Sequence, residues 1–157
     1  MISTRGRYAV RILLDLAEHA DGALIPMKEV AARQGISLKY IERIMPALRN
    51  SGLIESTHGI GGGYRLAKPP ETVTLWEILS LAEGDLAPVA CLETGAEPCG
   101  RAQICKTLPV WQGYYALTAY ARYLMQLNRL YDMTDSFNDG ENRIEPLRLY
   151  IGIAPKA

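Results

Sequence analysis

Residues 34–45 read Gln34-Gly35-Ile36-Ser37-Leu38-Lys39-Tyr40-Ile41-Glu42-Arg43-Ile44-Met45. Gly35 is the residue type that closes a helix, and Ser37, two positions on, is a good cap for the next one. Two helices therefore meet here at a tight turn. The second places Ile41, Ile44, Met45 and Leu48 on one face and turns Lys39, Glu42, Arg43 and Arg49 to other sides. Pro46 interrupts that helix. It removes the hydrogen bond to the Glu42 carbonyl, which costs about 3 kcal/mol in an ordinary helix. A kink is expected there, leaving residues 37–45 as a separate rigid rod.

Upstream, Pro26 opens a short helix through Gln34, with Val30 and Ala31 facing inward. Residues 5–20 form a longer helix whose wide apolar face includes Tyr8, Ile12, Leu13 and Leu16, ended by Asp21-Gly22. Downstream lie two strand-like runs, Leu53–Thr57 and Tyr64–Lys68. Between them stands His58-Gly59-Ile60-Gly61-Gly62-Gly63, the glycine-dense tip of a β-hairpin. Pro69-Pro70 closes the segment and marks a boundary.

Helix, short helix, glycine turn, helix and glycine-tipped hairpin is the order of a winged helix-turn-helix. The expected fold class is mainly α, with a two-stranded wing and a long C-terminal dimerisation helix. The helix that begins at Ser37 fits the major groove, and its first turns reach base edges. The hairpin, residues 58–64, fits the minor groove or the phosphate backbone. Ser37, Lys39, Tyr40, Glu42 and Arg43 stand where base and phosphate contacts form; Arg43 matches guanine and Glu42 matches cytosine N4. Thr4, Arg5 and Arg7 at the first helix are placed to hold phosphates. His58, Gly61, Gly62 and Tyr64 supply the wing. Any one of these charges fits a solvated helix face equally well; their joint order favours DNA. The glycine run is not a dinucleotide fingerprint, because Tyr64 fills the third glycine position and a strand follows.

The charge distribution agrees. The net charge of the 157 residues is zero, yet residues 1–70 carry 10 Lys and Arg against 6 Asp and Glu, and residues 71–157 carry 7 against 11. The basic first part is the one suited to a polyanion. At 48% hydrophobic and 22% charged residues the chain builds a packed core and is not disordered. No apolar run spans a membrane, and the start has no secretory cleavage pattern, so a cytoplasmic location is expected.

After Pro70, Thr74-Leu75-Trp76-Glu77 reads as a capping box, with Glu77 reaching back, and starts a helix to about Glu83. Residues 85–107 lack periodicity. Residues 108–132 form one long helix, roughly 35 Å at the helical rise. Its stripe includes Val110, Tyr114, Leu117, Ala121, Leu124 and Tyr131, with Trp111, Tyr115, Tyr120, Tyr123 and Leu127 adding to it or beside it. Such a helix outgrows a domain this small, and a second copy of the chain is its expected cover. Its aromatic residues read as interface core rather than a ligand cage. Asp135–Arg143 reads as a polar loop and Ile144–Pro155 as an apolar helix or strand. The organisation is then a DNA-binding unit over 1–70, a regulatory and dimerisation unit over 71–133 and a tail over 134–157.

The only three cysteines, Cys91, Cys99 and Cys105, share the loop between the two later helices. Three soft donors in so short a stretch suit an iron–sulfur cluster or another metal, or a thiol oxidation switch. Zinc is less well matched, because its sites favour shorter cysteine spacings and four ligands. An enzyme is not expected, since neither His19 nor His58 has an orienting acid or a place beside a cysteine.

Three stretches carry a family resemblance: Ser3-Thr4-Arg5-Gly6-Arg7-Tyr8-Ala9, Gln34-Gly35-Ile36-Ser37-x-x-Tyr40-x-Glu42 and Gly61-Gly62-Gly63-Tyr64-Arg65-Leu66. In this order and spacing, over residues 1 to about 133, the chain resembles the cluster-binding branch of the Rrf-type family of bacterial transcription regulators. The resemblance implies a homodimer through helix 108–132 that binds pseudo-palindromic double-stranded operators. It implies that Cys91, Cys99 and Cys105 hold an iron–sulfur cluster, 2Fe–2S in preference to 4Fe–4S, whose gain, loss or oxidation changes operator affinity. The alternative is the same DNA-binding fold switched by thiol oxidation or another metal. His58 replaces the wing arginine usual in the family. The fourth ligand is not identified. Leu108 stands where some members place a ligating His, and Arg7 where others place an acid. Asp85, Glu93 and Glu97 are the nearby oxygen donors.

Overall fold

A computed structural model describes residues 2–135. The segments read above as a polar loop and apolar tail lie, from residue 136 on, outside the described residues. Six helices and one hairpin follow in chain order: α1 (Thr4–Glu18), α2 (Met27–Gln34), α3 (Leu38–Asn50), β1 (Ile54–Thr57), β2 (Gly63–Leu66), α4 (Leu75–Glu83), α5 (Leu108–Leu127) and α6 (Leu130–Asp135). No described helix is long and apolar enough to cross a membrane.

The expected winged helix-turn-helix is present. α1 buries Ala9, Ile12, Leu13 and Leu16 against Val30 of α2 and Ile41, Ile44 and Leu48 of α3. Gly35 closes α2 with φ 61°, a left-handed geometry that other residues adopt only with strain. The hairpin is antiparallel, pairing Ile54 with Leu66 and Thr57 with Gly63. Ile25, before α2, joins the hairpin through an isolated antiparallel bridge to Tyr64. Its N–H donates to the Tyr64 carbonyl at 2.8 Å and its carbonyl accepts from the Tyr64 N–H at 2.9 Å. The wing is thereby bonded to the helical body.

Three expectations are corrected. Helix α3 runs unbroken past Pro46 to Asn50, so residues 37–45 are not a separate rod. Ile44, Met45 and Leu48 are buried on both sides of the proline, and that burial holds the helix through one missing hydrogen bond. The capping box is half made: the Thr74 hydroxyl accepts from the Glu77 N–H at 3.0 Å, but the Glu77 carboxylate accepts from Lys68 Nζ at 2.9 Å. A cation from the end of the wing competes for it. The long helix is not continuous over 108–132. It ends at Leu127, and Asn128 is extended. There the Asn128 carbonyl accepts from the Leu75 N–H at 2.9 Å, and the Leu130 N–H donates to the Val73 carbonyl at 2.8 Å. Leu130 is fully buried in the core formed by α1 and α4. Burying that side chain and pairing two backbone segments outweighs one more helical turn.

The core also holds one charge. Asp15 in α1 is 0% exposed. It accepts from Arg33 through Nη2 at 2.7 Å and Nε at 3.1 Å, and from Gln34 Nε2 at 3.0 Å. Burial pushes this carboxyl up, but the hydrogen bonds from Arg33 and Gln34 and the Arg33 charge outweigh it, and the group lies below its usual value. A carboxyl depressed in the folded state stabilises the fold above its unfolded pKa, about 3.9, and loses that contribution as pH falls through the lower folded value. Unfolding titrations from pH 7 to pH 2 should show this acid loss in the native chain and a smaller one in Asp15→Asn; equal losses would refute the assignment. Arg33→Ala strands the carboxylate and should cost on the order of 3 kcal/mol at pH 7.

Candidate nucleic-acid interface and cysteine loop

One face of the first two turns of α3 meets solvent. Ser37, Lys39, Glu42 and Arg43 are exposed, and the last three form no salt bridge among the described residues. Ser37 occupies the cap position, but its hydroxyl does not close the cap. It and the free N–H groups of the first turn remain open to an acceptor. The helix dipole places positive potential at this end, which favours a phosphate. Thr4, Arg5 and Arg7 are exposed on the first turn of α1, and Arg7 Nη2 donates to Thr4 Oγ1 at 3.3 Å.

Two of the expected contacts have packing roles. Tyr40 meets Tyr8 edge to face, with ring centroids 5.2 Å apart, and both pack on the core. Tyr64 holds the wing to Ile25 and lies against the same core. At the tip His58 and Gly61 are exposed, and Gly61 takes φ 77°. Gly62 is half-buried, and a Cβ there would overlap the Thr57 carbonyl; one at Gly63 would lie 2.7 Å from the Ile25 backbone. The glycine run is therefore required by the fold of the hairpin, apart from any approach to phosphate.

The cysteine loop leaves α4 at Gly84 and enters α5 at Leu108. Asp85 staples its start, accepting from the Ala87 N–H at 2.7 Å and the Thr94 N–H at 2.6 Å. Those bonds, that from Thr94 foremost, hold this carboxyl below its usual value, so its oxygens are occupied by the backbone. Cys91 lies in a short 3-10 turn, Ala90–Leu92, and Cys105 follows a second, Ala102–Ile104. Cys91 and Cys99 are exposed and Cys105 is half-buried. Cys105 Sγ lies 3.4 Å from Thr107 Oγ1, and this hydrogen bond draws its thiol pKa down. Thiolate donors on an accessible loop are the right chemistry for an iron–sulfur cluster. Among the described residues no group of three Cys, His, Asp or Glu side chains is gathered as a metal site, so binding would require the loop to draw its thiols together.

Against this geometry the comparisons with known proteins are consistent. Residues 2–135 match the Rrf2 family, described as an iron-dependent transcriptional regulator. The chain belongs to the Rrf2 family. It is 40% identical over 110 residues to protein rrf2 of Nitratidesulfovibrio vulgaris, covering 70% of this chain and 73% of that one. It is 38% identical over 139 residues to the HTH-type transcriptional regulator IscR of Cereibacter sphaeroides, covering 84% and 85%. Among solved structures it is similar to CymR, the global cysteine regulator of B. subtilis, with TM-score 0.68, 28% identity and coverage of 88% of this chain and 98% of that one. IscR of T. potens matches with TM-score 0.69, 26% identity and 90% of each chain. The protein is an Rrf2-type transcriptional regulator with a winged-helix DNA-binding fold.

In this Rrf2 chain the aromatic helix is uncovered. Among the described residues of α5 none is buried; Leu117 is 77% exposed and Tyr114 is 52% exposed. Between α4 and α5 runs an open cleft of about 790 Å³, lined by Trp76, Ser80, Tyr115 and Arg122 and by none of the cysteines. Two sets of residues that hold the ends of α1 and α2 escaped the sequence reading. One is Asp15 with Arg33 and Gln34, whose only signal was an acid on an apolar helix face. The other is Glu83, whose contacts lie at the far end of the chain and leave no local signal. Gly63→Ala should destabilise the hairpin by about 1–3 kcal/mol through overpacking against Ile25. Thermal unfolding in the absence of DNA checks this, and an unchanged midpoint would return the glycine to a role in DNA approach alone.

Proposed function

We propose that this Rrf2 regulator acts as a homodimer on pseudo-palindromic operator DNA and that the state of its three-cysteine loop sets operator affinity. The observation that carries the DNA half is the exposed set Ser37, Lys39, Glu42 and Arg43 at the start of α3, whose three charges form no salt bridge among the described residues, in a fold that also carries a bonded wing. In this reading Lys39 and Arg43 contact base edges or phosphates, Glu42 discriminates bases, and Tyr40 orients the turn from its seat on Tyr8. Thr4, Arg5 and Arg7 hold phosphates, and His58, Gly61, Gly62 and Tyr64 bring the wing to the groove. Residues 1–70 form the reading unit and residues 71–133 the sensing and pairing unit. The uncovered face of α5 supports a second copy as its cover, since a monomer rarely leaves so continuous an apolar surface in water. A cytoplasmic location follows from this role.

For the sensing half, Cys91, Cys99 and Cys105 would hold an iron–sulfur cluster, 2Fe–2S in preference to 4Fe–4S. When bound, such a group supplies a redox-active, oxidant-labile charge. Asp85 is an unfavourable fourth ligand because its oxygens already serve the loop backbone; Glu93 and Glu97 remain exposed. The accessible, ungathered thiols favour one second reading, in which oxidation of the cysteines without a cluster is the signal.

Lys39→Ala or Arg43→Ala should weaken specific operator binding by about 1–3 kcal/mol, and loss of a phosphate contact should reduce the salt dependence. Footprints unchanged in both variants would refute the recognition turn. Anaerobic purification should yield a coloured protein with iron and acid-labile sulfide, both lost in Cys99→Ala. A colourless protein after reconstitution would leave the thiol switch. Leu117→Glu should shift the sedimenting species from dimer to monomer.

A further inference from the structure

The first turn of α1 is held by a residue from the other end of the described core. Glu83, the last residue of α4, places Oε1 so that it accepts from the Ser3 N–H at 2.8 Å, the Ser3 hydroxyl at 2.8 Å and the Gly6 N–H at 3.1 Å. The Ser3 hydroxyl in turn accepts from the Arg5 N–H at 3.0 Å. Donors at a helix start have no partner within the helix, and a carboxylate there also meets the positive end of the helix dipole. One side chain thus sets the turn that displays Thr4, Arg5 and Arg7. Position 6 shows how closely the contact is built. A Cβ on Gly6 would overlap Glu83 Oε1, so the glycine is the opening through which the carboxylate enters. It stands inside a helix, where glycine is otherwise unfavourable.

On its other side Glu83 is continuous with the cysteine loop. Gly84, with φ 79°, is the single joint between it and Asp85. Asp85 is bonded to the Thr94 N–H, three residues beyond Cys91. The path from the loop to the first turn of α1 therefore consists of one staple, one glycine joint and one cap. We propose that Glu83 is a positioning residue that couples the cysteine loop to the operator-facing turn of α1. A change in the loop that moves Asp85 re-seats the Glu83 carboxylate and shifts Thr4, Arg5 and Arg7 relative to α3. This rests on the reading of the chain as an operator-binding regulator with a sensing loop. It adds the element whose two positions both sites would bias, which is what a coupling between distant sites physically requires.

The test uses the full chain and reads hydrogen exchange of residues 3–7 and operator affinity, each before and after alkylation of the cysteines with iodoacetamide. In the native chain alkylation should speed exchange in this turn several-fold and change operator affinity. In Glu83→Ala exchange should be fast in both states, and affinity should no longer respond to alkylation. Glu83→Gln keeps an acceptor oxygen and should restore part of both responses. Gly6→Ala separates coupling from stability. Alanine is the better helix former, which offsets part of the lost Glu83 bonds, and the added Cβ meets only the side chains of Glu83 and Ile2, so the thermal midpoint should change little while the response is lost. Exchange in the native turn that ignores alkylation would overturn the proposal, as would a full affinity response in Glu83→Ala. If exchange responds but the native chain binds no operator, the coupling stands and the operator reading fails.

Discussion

A carboxylate with no access to water, that of Asp15, must be matched by fixed donors, and its donors are Arg33 and Gln34, the last two residues of α2. That requirement settles where α2 ends against α1. Arg11, one turn before Asp15, bonds the Gln34 side-chain oxygen at 3.1 Å and the Gln34 carbonyl, so the end of α2 is held from two sides. Gly35 then turns the chain, and α3 leaves in a direction that buries Ile41, Ile44 and Leu48. The aim of the first turn of α3 thus depends on a buried ionic contact between the two helices before it. Apolar packing alone allows helices to slide, because dispersion and burial are not directional. A bidentate guanidinium–carboxylate pair is directional, and here it supplies the register.

The same distinction separates what the sequence disclosed from what it concealed. The three helices, the glycine turn and the wing were legible because each is specified locally. Periodicity marks the buried faces of α1 and α3, Gly35 marks the turn, and the glycine tip marks the hairpin. Three features were misread because distant residues specify them. Glu77 fits a capping box until Lys68 competes for it. Residues 108–132 fit one helix until Val73 and Leu75 offer hydrogen bonds to Leu130 and Asn128. Pro46 predicts a kink that sets residues 37–45 apart as a rod until burial on both sides of it is counted. The glycine run was legible as a wing, but its reason was not. The bridge from Ile25 makes Gly63 a packing requirement, and nothing near Gly63 announces Ile25.

The candidate site was legible to a similar degree. Exposed charges on the first turns of α1 and α3 follow from the amphipathic pattern, and the structure places them in solvent. Tyr40 and Tyr64 share that sequence neighbourhood yet pack on the core, since an aromatic ring beside an apolar seam is buried at little cost. The three cysteines were visible as a set, but their proximity in sequence does not translate into a gathered donor set. A loop built from two short 3-10 turns spaces its thiols along its length, and only a bound group or a disulfide repays the cost of bringing them together.

The attachments of α5 differ in strength, and that difference bears on how a signal would travel. At its C-terminal end the helix is bonded to the core through Asn128 and Leu130, whose backbone groups pair with Val73 and Leu75 and whose side chains are buried. Along its length it lies beside α4, with Arg122 over the Trp76 ring, and at its N-terminal end it continues into the cysteine loop, where most residues are exposed and the turns are short. Segments with few buried contacts open at lower free energy than the core around them. In a dimer closed over the α5 face, the C-terminal anchor would hold each reading unit to the shared helix pair, and the loop would be the softer connection. Chemistry at the thiols then meets the least resistance in the one segment that also leads, through Asp85 and Glu83, to the first turn of α1. In the proposed dimer, a rigid anchor at one end and a soft, reactive one at the other would let a small local change alter the set of the two operator-facing units without unfolding either.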